Sequence, residues 1–266
     1  MSSRVVTMAY GPSPDQVGDL YFPEVENPPV ICLLHGGYWR MPWGRDHIAP
    51  LAVPLTQLGF AVWNLEYRRV KGARGEEGAA GGGWPGTLQD VGAGIDHLAI
   101  STAAVHDPEG GQGRVDLNRV TVVGHSAGGQ LALWAGGGGE YGPRRVKVAA
   151  AVGLAPVADL TWAYQRRCGN GAVQSLLGGT PEEYPGRYRE ASPAERLPLG
   201  VRQLVLHGTP DEDVPVEISR RYARAAAAAG DQLTFVELPD AAHMDFVDPA
   251  SGATAMLFDW LVRFRG

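Results

Sequence analysis

From residue 30 onward the chain alternates short, nearly continuous apolar runs with longer stretches of mixed polarity. The runs are Val30-Ile31-Cys32-Leu33-Leu34, Phe60 to Leu65, Val120 to Val123, Val148 to Leu154, Val201 to Leu206 and Leu233 to Leu238. A strand with one wet face alternates apolar and polar residues. A run that is apolar throughout is buried on both faces, the state of a parallel strand covered by helices. The intervening segments predict helices near His47 to Leu58, Leu88 to Ala99, Ala127 to Ala135, Pro215 to Ala229 and Ala253 to Phe264. This alternation predicts an α/β fold: a mostly parallel central sheet, helices on both faces and right-handed crossovers. Ahead of it, Arg4 to Met8 and Gly18 to Phe22, joined by the turn-rich Gly11-Pro12-Ser13-Pro14, predict two short antiparallel edge strands.

Two stretches break the rhythm. Lys71 to Gly83 is glycine-rich with mixed charge and too poor in apolar residues to pack, which predicts a mobile surface loop. Residues 156–200 separate two strands and carry Trp162, Tyr164, Tyr184 and Tyr188. A connection of that length is rarely structureless, so it predicts a small cap insertion over the strand ends. The expected organisation is one domain over residues 1–266 with the cap at about 156–200.

Composition narrows the partners. With 44% apolar residues, 20% charged residues and a net charge of -6, the chain lacks the basic surface that a phosphate backbone requires, so nucleic acid is not expected. Met1 to Tyr10 shows no basic region leading into an apolar stretch, and no run of about 18 apolar residues follows; the expectation is a soluble, cytoplasmic protein without a membrane segment. The two cysteines, Cys32 and Cys168, form no metal or redox spacing, and Cys32 reads as a buried, inert thiol. Nothing along the chain indicates oligomeric state.

The chemistry concentrates behind the run Val120 to Val123, where the sequence reads Gly124-His125-Ser126-Ala127-Gly128. A G-x-S-x-G between strand and helix forces a tight turn that side chains larger than glycine would block, and it holds the serine hydroxyl clear of the sheet. Ser126 is therefore the candidate nucleophile. A serine needs a base oriented by an acid, and after such an elbow the acid precedes the histidine. Only His207 and His243 follow Ser126. His207 ends a strand and would need an acid from the cap, whereas His243, in the loop after the last strand, has strand-end acids ahead of it and is preferred. Among those acids, Asp211 is favoured. Asp213 stands before Val214-Pro215 and reads as a helix N-cap, Glu212 reads as solvent-facing, and Asp159 is a weaker rival. Acyl transfer also needs donors for the oxyanion: the Ala127 amide is one, and Gly37 or Tyr38 in the loop His35-Gly36-Gly37-Tyr38-Trp39 is the other.

These motifs, with the segment His207-Gly208-Thr209-Pro210-Asp211-Glu212-Asp213-Val214-Pro215, resemble the α/β-hydrolase superfamily across nearly the whole chain. The H-G-G-Y-W form resembles the arylformamidase (kynurenine formamidase) and small carboxylesterase branch, near the hormone-sensitive-lipase-like enzymes. The resemblance implies an α/β-hydrolase fold and a serine hydrolase with Ser126 as nucleophile, His243 as general base and Asp211 as orienting acid, needing no cofactor or metal. It implies a small-molecule substrate: a small or aromatic carboxylic ester first, an N-formyl aryl amide such as N-formylkynurenine second. Tyr38 departs from the hormone-sensitive-lipase-like pattern, which has a third glycine there. The reading from another class is a catalytically idle binding protein on a hydrolase scaffold.

Other residues near these motifs read as structural. His35 and His125 are expected to bond neighbouring loop backbone, and Asp90 to pair with Arg68. Tyr38, Trp39, Trp43, Trp84, Trp162 and Phe246 lie on loops expected to converge over the serine. Of these, Trp39, Trp84, Trp162 and Phe246 are the expected substrate-binding aromatics.

Overall fold

The computed structural model describes residues 4–71, 81–104 and 115–265. Most of the loop expected at Lys71 to Gly83 lies outside them. The strands are β1 (Arg4–Ala9), β2 (Val17–Phe22), β3 (Pro29–Leu34), β4 (Ala61–Leu65), β5 (Asp116–His125), β6 (Val148–Leu154), β7 (Arg202–Gly208) and β8 (Leu233–Leu238). They form one sheet in the order β1-β2-β4-β3-β5-β6-β7-β8. The β1/β2 and β2/β4 pairs are antiparallel, and every pair from β4 through β3 to β8 is parallel. The apolar runs thus form the parallel region, with β8 at its partly exposed outer edge, and the two N-terminal strands form the other edge.

The helices are α1 (Ala52–Gln57), α2 (Gly86–Ala104), α3 (Ala127–Gly136), α4 (Leu160–Gln165), α5 (Ala172–Leu177), α6 (Pro185–Ala191), α7 (Glu217–Ala228) and α8 (Gly252–Arg265). Alternate residues of β3 serve opposite faces. Cys32 and Leu34 pack with Leu88, Val91 and Ile95 of α2 and Leu131 of α3, whereas Ile31 and Leu33 pack with Leu55 of α1 and Leu257 and Leu261 of α8. Cys32 is fully buried, and burial pushes its thiol pKa up, away from reactivity.

Two expectations need correction. The helix expected over His47 to Leu58 breaks into two short 3-10 turns, Arg45–His47 and Ala49–Leu51, before α1. Pro50 and Pro54 lack the N–H that a continuous helix would use there. Helix α7 starts at Glu217 with Val216 as its cap, so Asp213 is not a helix N-cap. Asp159, by contrast, does cap a helix, accepting from Trp162 N at 2.9 Å. The 156–200 excursion folds into α4, α5 and α6 and lies against the loop after β3. There the Arg40 guanidinium donates to Gly169 O at 3.0 Å and to Ser175 Oγ at 2.7 Å.

The chain leaves β3 for β4 on one side and later places β5 on the other, so a crevice opens at the carboxyl end of β3. Gly128 closes its floor: a Cβ there would sit 2.1 Å from Leu34 O and 2.3 Å from His35 O. The methyl added by Gly128→Ala meets backbone rather than a yielding side chain. Chemical denaturation should therefore show a loss of about 2–3 kcal/mol or more; an unfolding midpoint equal to that of the unsubstituted protein would contradict this packing.

Candidate active site

Strand β5 ends at His125, and the next residue turns the chain sharply. Ser126 has φ 55° and ψ -116°, a conformation that costs a non-glycine residue roughly 1–3 kcal/mol and persists only when its surroundings hold it. Here the Ser126 amide donates to Leu154 O at 2.8 Å, and its carbonyl accepts from Gln130 N at 3.1 Å. A Cβ at Gly124 would lie 2.0 Å from Gly128 O, so the two glycines of the motif are required by the same close approach.

Asp211 follows β7 and His243 follows β8, at the same end of the sheet. His243 Nδ1 lies 2.6 Å from Asp211 Oδ2 and donates to it, which leaves Nε2 as the basic nitrogen. The other carboxylate oxygen, Oδ1, accepts from the amides of Asp213 at 3.0 Å and Val214 at 2.8 Å. His207 Nε2 stands 3.3 Å from Asp211 Oδ2 while donating to Val214 O at 2.8 Å, and its Nδ1 accepts from Ser219 Oγ at 2.7 Å. Burial alone would raise the Asp211 pKa. The hydrogen bonds from His207 and His243, the His243 charge and the Val214 amide outweigh it and hold the carboxyl well below the usual carboxylate range.

Two further imidazoles stand beside His243. His125 Nε2 donates to His243 O at 2.9 Å, tying the elbow to the histidine loop, and the ring centroids are 4.5 Å apart. His47 Nδ1 accepts from Gly36 N at 3.2 Å. Burial and the neighbouring histidines push His47 down to about 4 and His125 well below the usual histidine value, so both are neutral near pH 7. Among the described residues, His243 is the one imidazole of the three with a carboxylate on its far nitrogen.

The loop after β3 brings amides to the same place. Gly37, Tyr38 and Trp39 all have positive φ (101°, 52° and 56°). Among the described residues, the amides of Gly37, Tyr38 and Ala127 have no backbone acceptor. Ser126, His243, Gly37 and Tyr38 line one cavity of about 340 Å³ together with Trp43, His47, His125, Asp213 and Met244. Trp43 and Met244 stand at its rim, 47% and 46% exposed. The four other aromatics expected at the substrate lie elsewhere. Trp39 is fully buried with its indole N–H on Gln130 Oε1 at 2.9 Å, and Phe246 is fully buried beneath α8. Trp84 and Trp162 are half-buried against the α2/α3 face of the core. Asp211, Asp213 and His243 bring ligand-type atoms within 4.8 Å of one another. Asp211 Oδ2 and His243 Nδ1 already satisfy each other, so a cation would have to break that bond.

The profile of the BD-FAE family matches residues 19–225, most of the chain. The chain belongs to the BD-FAE family. No curated protein matches it. Among solved structures, this BD-FAE chain is similar to a truncated carbohydrate esterase from gut microbiota, at 21% identity and a TM-score of 0.79, covering 99% of this chain and 96% of that one. It is similar to a Thermogutta terrifontis esterase with bound propionate, at 20% identity and a TM-score of 0.73, covering 98% and 93%. An esterase B from Lactobacillus rhamnosis follows at 18% identity and a TM-score of 0.74, covering 98% and 88%. These likenesses show that the BD-FAE chain has the α/β-hydrolase fold. Among the described residues, no helix is long and apolar enough to cross a membrane.

Several residues of this BD-FAE site were not legible as such. His207 reads from the sequence as a rival base, yet it stands against the Asp211 carboxylate. His47 and Met244 carry no motif and reach the cavity through loop geometry.

The depressed Asp211 pKa fixes a pH dependence. Its stabilisation is fully present above the unfolded carboxylate value, roughly 3.9, and is lost as pH falls through the lower folded value. In urea titrations the stability gap between wild type and Asp211→Asn should therefore narrow as pH drops below about 4. A gap that stays constant into strong acid would contradict the assignment.

Proposed function

We propose that this protein is a serine hydrolase that cleaves small or aromatic carboxylic esters through an acyl-enzyme. The observation that carries the reading is the His243–Asp211 bond at 2.6 Å, which leaves His243 Nε2 free in a cavity shared with Ser126 and with unpaired amides. In the first step His243 Nε2 takes the Ser126 hydroxyl proton as Oγ attacks the ester carbonyl. The oxyanion is held by the amide of Ala127 and by that of Gly37 or Tyr38. The tetrahedral intermediate expels the alkoxide, which receives the proton from His243. Water then attacks the acyl-enzyme with His243 again as base, and the carboxylic acid leaves. Asp211 keeps the imidazole in the required tautomer and stabilises the imidazolium.

The cavity supports a compact substrate. At about 340 Å³ it lies at the lower end of small-molecule sites, and its rim presents an indole and a thioether, with the exposed Asp213 also among its lining residues. The propionate-bound and carbohydrate-esterase neighbours favour short acyl groups, on alcohols that include sugars. A second reading, hydrolysis of an N-formyl aryl amide such as N-formylkynurenine, draws on the phenol of Tyr38 and the indole of Trp43 beside the serine, which fit an aryl group.

One panel tests both readings. With p-nitrophenyl acetate, acetylated sugars and N-formylkynurenine as substrates, kcat/KM should be highest on a short ester, and Ser126→Ala should lower kcat by about 10³-fold or more. A higher kcat/KM on the formamide would select the second reading. Unchanged activity in Ser126→Ala would remove the nucleophile from the scheme.

A further inference from the structure

Beneath the site lies a buried ionisable pair that the scheme above does not use. His35 is fully buried, and each of its ring nitrogens faces an acceptor: Nδ1 is 2.7 Å from Gly36 O and Nε2 is 2.7 Å from Glu66 Oε1. A carbonyl oxygen and a carboxylate oxygen can only accept. We propose that His35 is a buried imidazolium, paired with the Glu66 carboxylate, that positions the Gly36–Gly37 peptide so that the Gly37 N–H is the loop's donor to the oxyanion. This rests on the acyl-transfer reading and goes beyond it by choosing between Gly37 and Tyr38 and naming the residues that set the choice.

The geometry follows from peptide planarity. In a trans peptide the C=O and N–H point in opposite directions. The His35–Gly36 peptide is held at both ends, its carbonyl accepting from the Tyr67 hydroxyl at 2.7 Å and its N–H donating to His47 Nδ1 at 3.2 Å. The next peptide is held at one end only. Its carbonyl, Gly36 O, accepts from His35 Nδ1, so its N–H, on Gly37, points away from the His35 ring, and Gly37 lines the cavity. A charged donor on the carbonyl also polarises the peptide and makes the opposite N–H a stronger donor.

Glu66 is built to keep that charge. It is 5% exposed, and its Oε1 also accepts from Tyr67 N at 3.0 Å. Its Oε2 accepts from Arg45 N at 2.9 Å and stands 3.4 Å from the Arg69 guanidinium. Tyr67 stacks on the His35 ring at 4.2 Å with planes 2° apart, fixing its orientation. Arg69 in turn donates to Trp43 O and pairs with Asp15 at 2.7 Å, so the same carboxylate steadies the rim of the cavity. Burial would raise the Glu66 pKa, but His35, Arg69 and the Arg45 amide hold it below the usual carboxylate value, which keeps the negative charge in place.

The test has two arms. In wild-type protein labelled with nitrogen-15, the His35 ring should show two protonated nitrogens near neutral pH; a single protonated nitrogen would overturn the proposal without any variant being made. In Glu66→Gln that signature should be lost, and kcat on p-nitrophenyl acetate should fall at least about tenfold with KM changed by less than about threefold, since a donor aimed at the oxyanion acts in the transition state. Unchanged kcat, or a fall expressed in KM alone, would overturn it. If wild type itself shows no Ser126-dependent hydrolysis, the acyl-transfer reading fails instead, and the wild-type ring signal still decides the state of His35.

Discussion

The backbone crossing at Gly124 and Gly128 is the constraint on which the rest of the site depends. With no Cβ at either position, the turn after β5 closes on itself and α3 is brought down onto the carbonyls of Leu34 and His35. One contact thereby fixes three things: the unusual conformation of Ser126, the start of a helix whose first amide, on Ala127, has no backbone acceptor among the described residues, and the distance to the loop after β3. Ser126 and the amides of the loop after β3 are adjacent because the same few backbone atoms touch. The strain at Ser126 is held by hydrogen bonds to the end of β6 and to α3.

Around that crossing, polar groups are arranged so that each imidazole has a different task. His243 has a carboxylate behind it, and His207 supports that carboxylate from the other side. His125 and His47 are neutral and hold backbone: His125 donates to the His243 carbonyl, and His47 accepts from the Gly36 amide. His35 carries the Glu66 pair. Buried charges of this kind add little net stability compared with apolar packing, but they fix geometry, and removing one partner leaves the other uncompensated. Arg68 and Asp90 do the same on the adjoining loop, with contacts of 2.6 and 2.7 Å between guanidinium and carboxylate.

Much of this was written in local sequence. Buried parallel strands announce themselves because both faces must be apolar, and Val148–Leu154 coincides with β6; Leu233–Leu238 coincides with β8, although that edge strand is only partly buried. The elbow was legible because glycine is required by backbone contact, and Arg68, on the loop after β4, does pair with Asp90 of α2. Local sequence failed where three-dimensional placement decides. Pro50 and Pro54 broke a predicted helix that hydropathy alone had joined. Asp213, expected at a helix N-cap, instead gives its amide to Asp211 and its carbonyl to the Tyr38 hydroxyl at 2.7 Å. Aromatic residues could not be sorted between core and cavity, because Trp39 and Trp43, four residues apart on one loop, differ only in which way the chain turns between them. Glu66 is an acidic residue after an apolar strand, and nothing near it in sequence points to His35.

The most direct measurement is intact-protein and peptide mass spectrometry on a rapidly acid-quenched reaction with a short-chain p-nitrophenyl ester. A covalent acyl-enzyme on Ser126 requires one acyl mass added per chain, located on the peptide that contains Ser126 and decaying no more slowly than turnover. Turnover without an adduct on that peptide, or with the acyl group on another residue, would contradict a serine hydrolase built on this elbow.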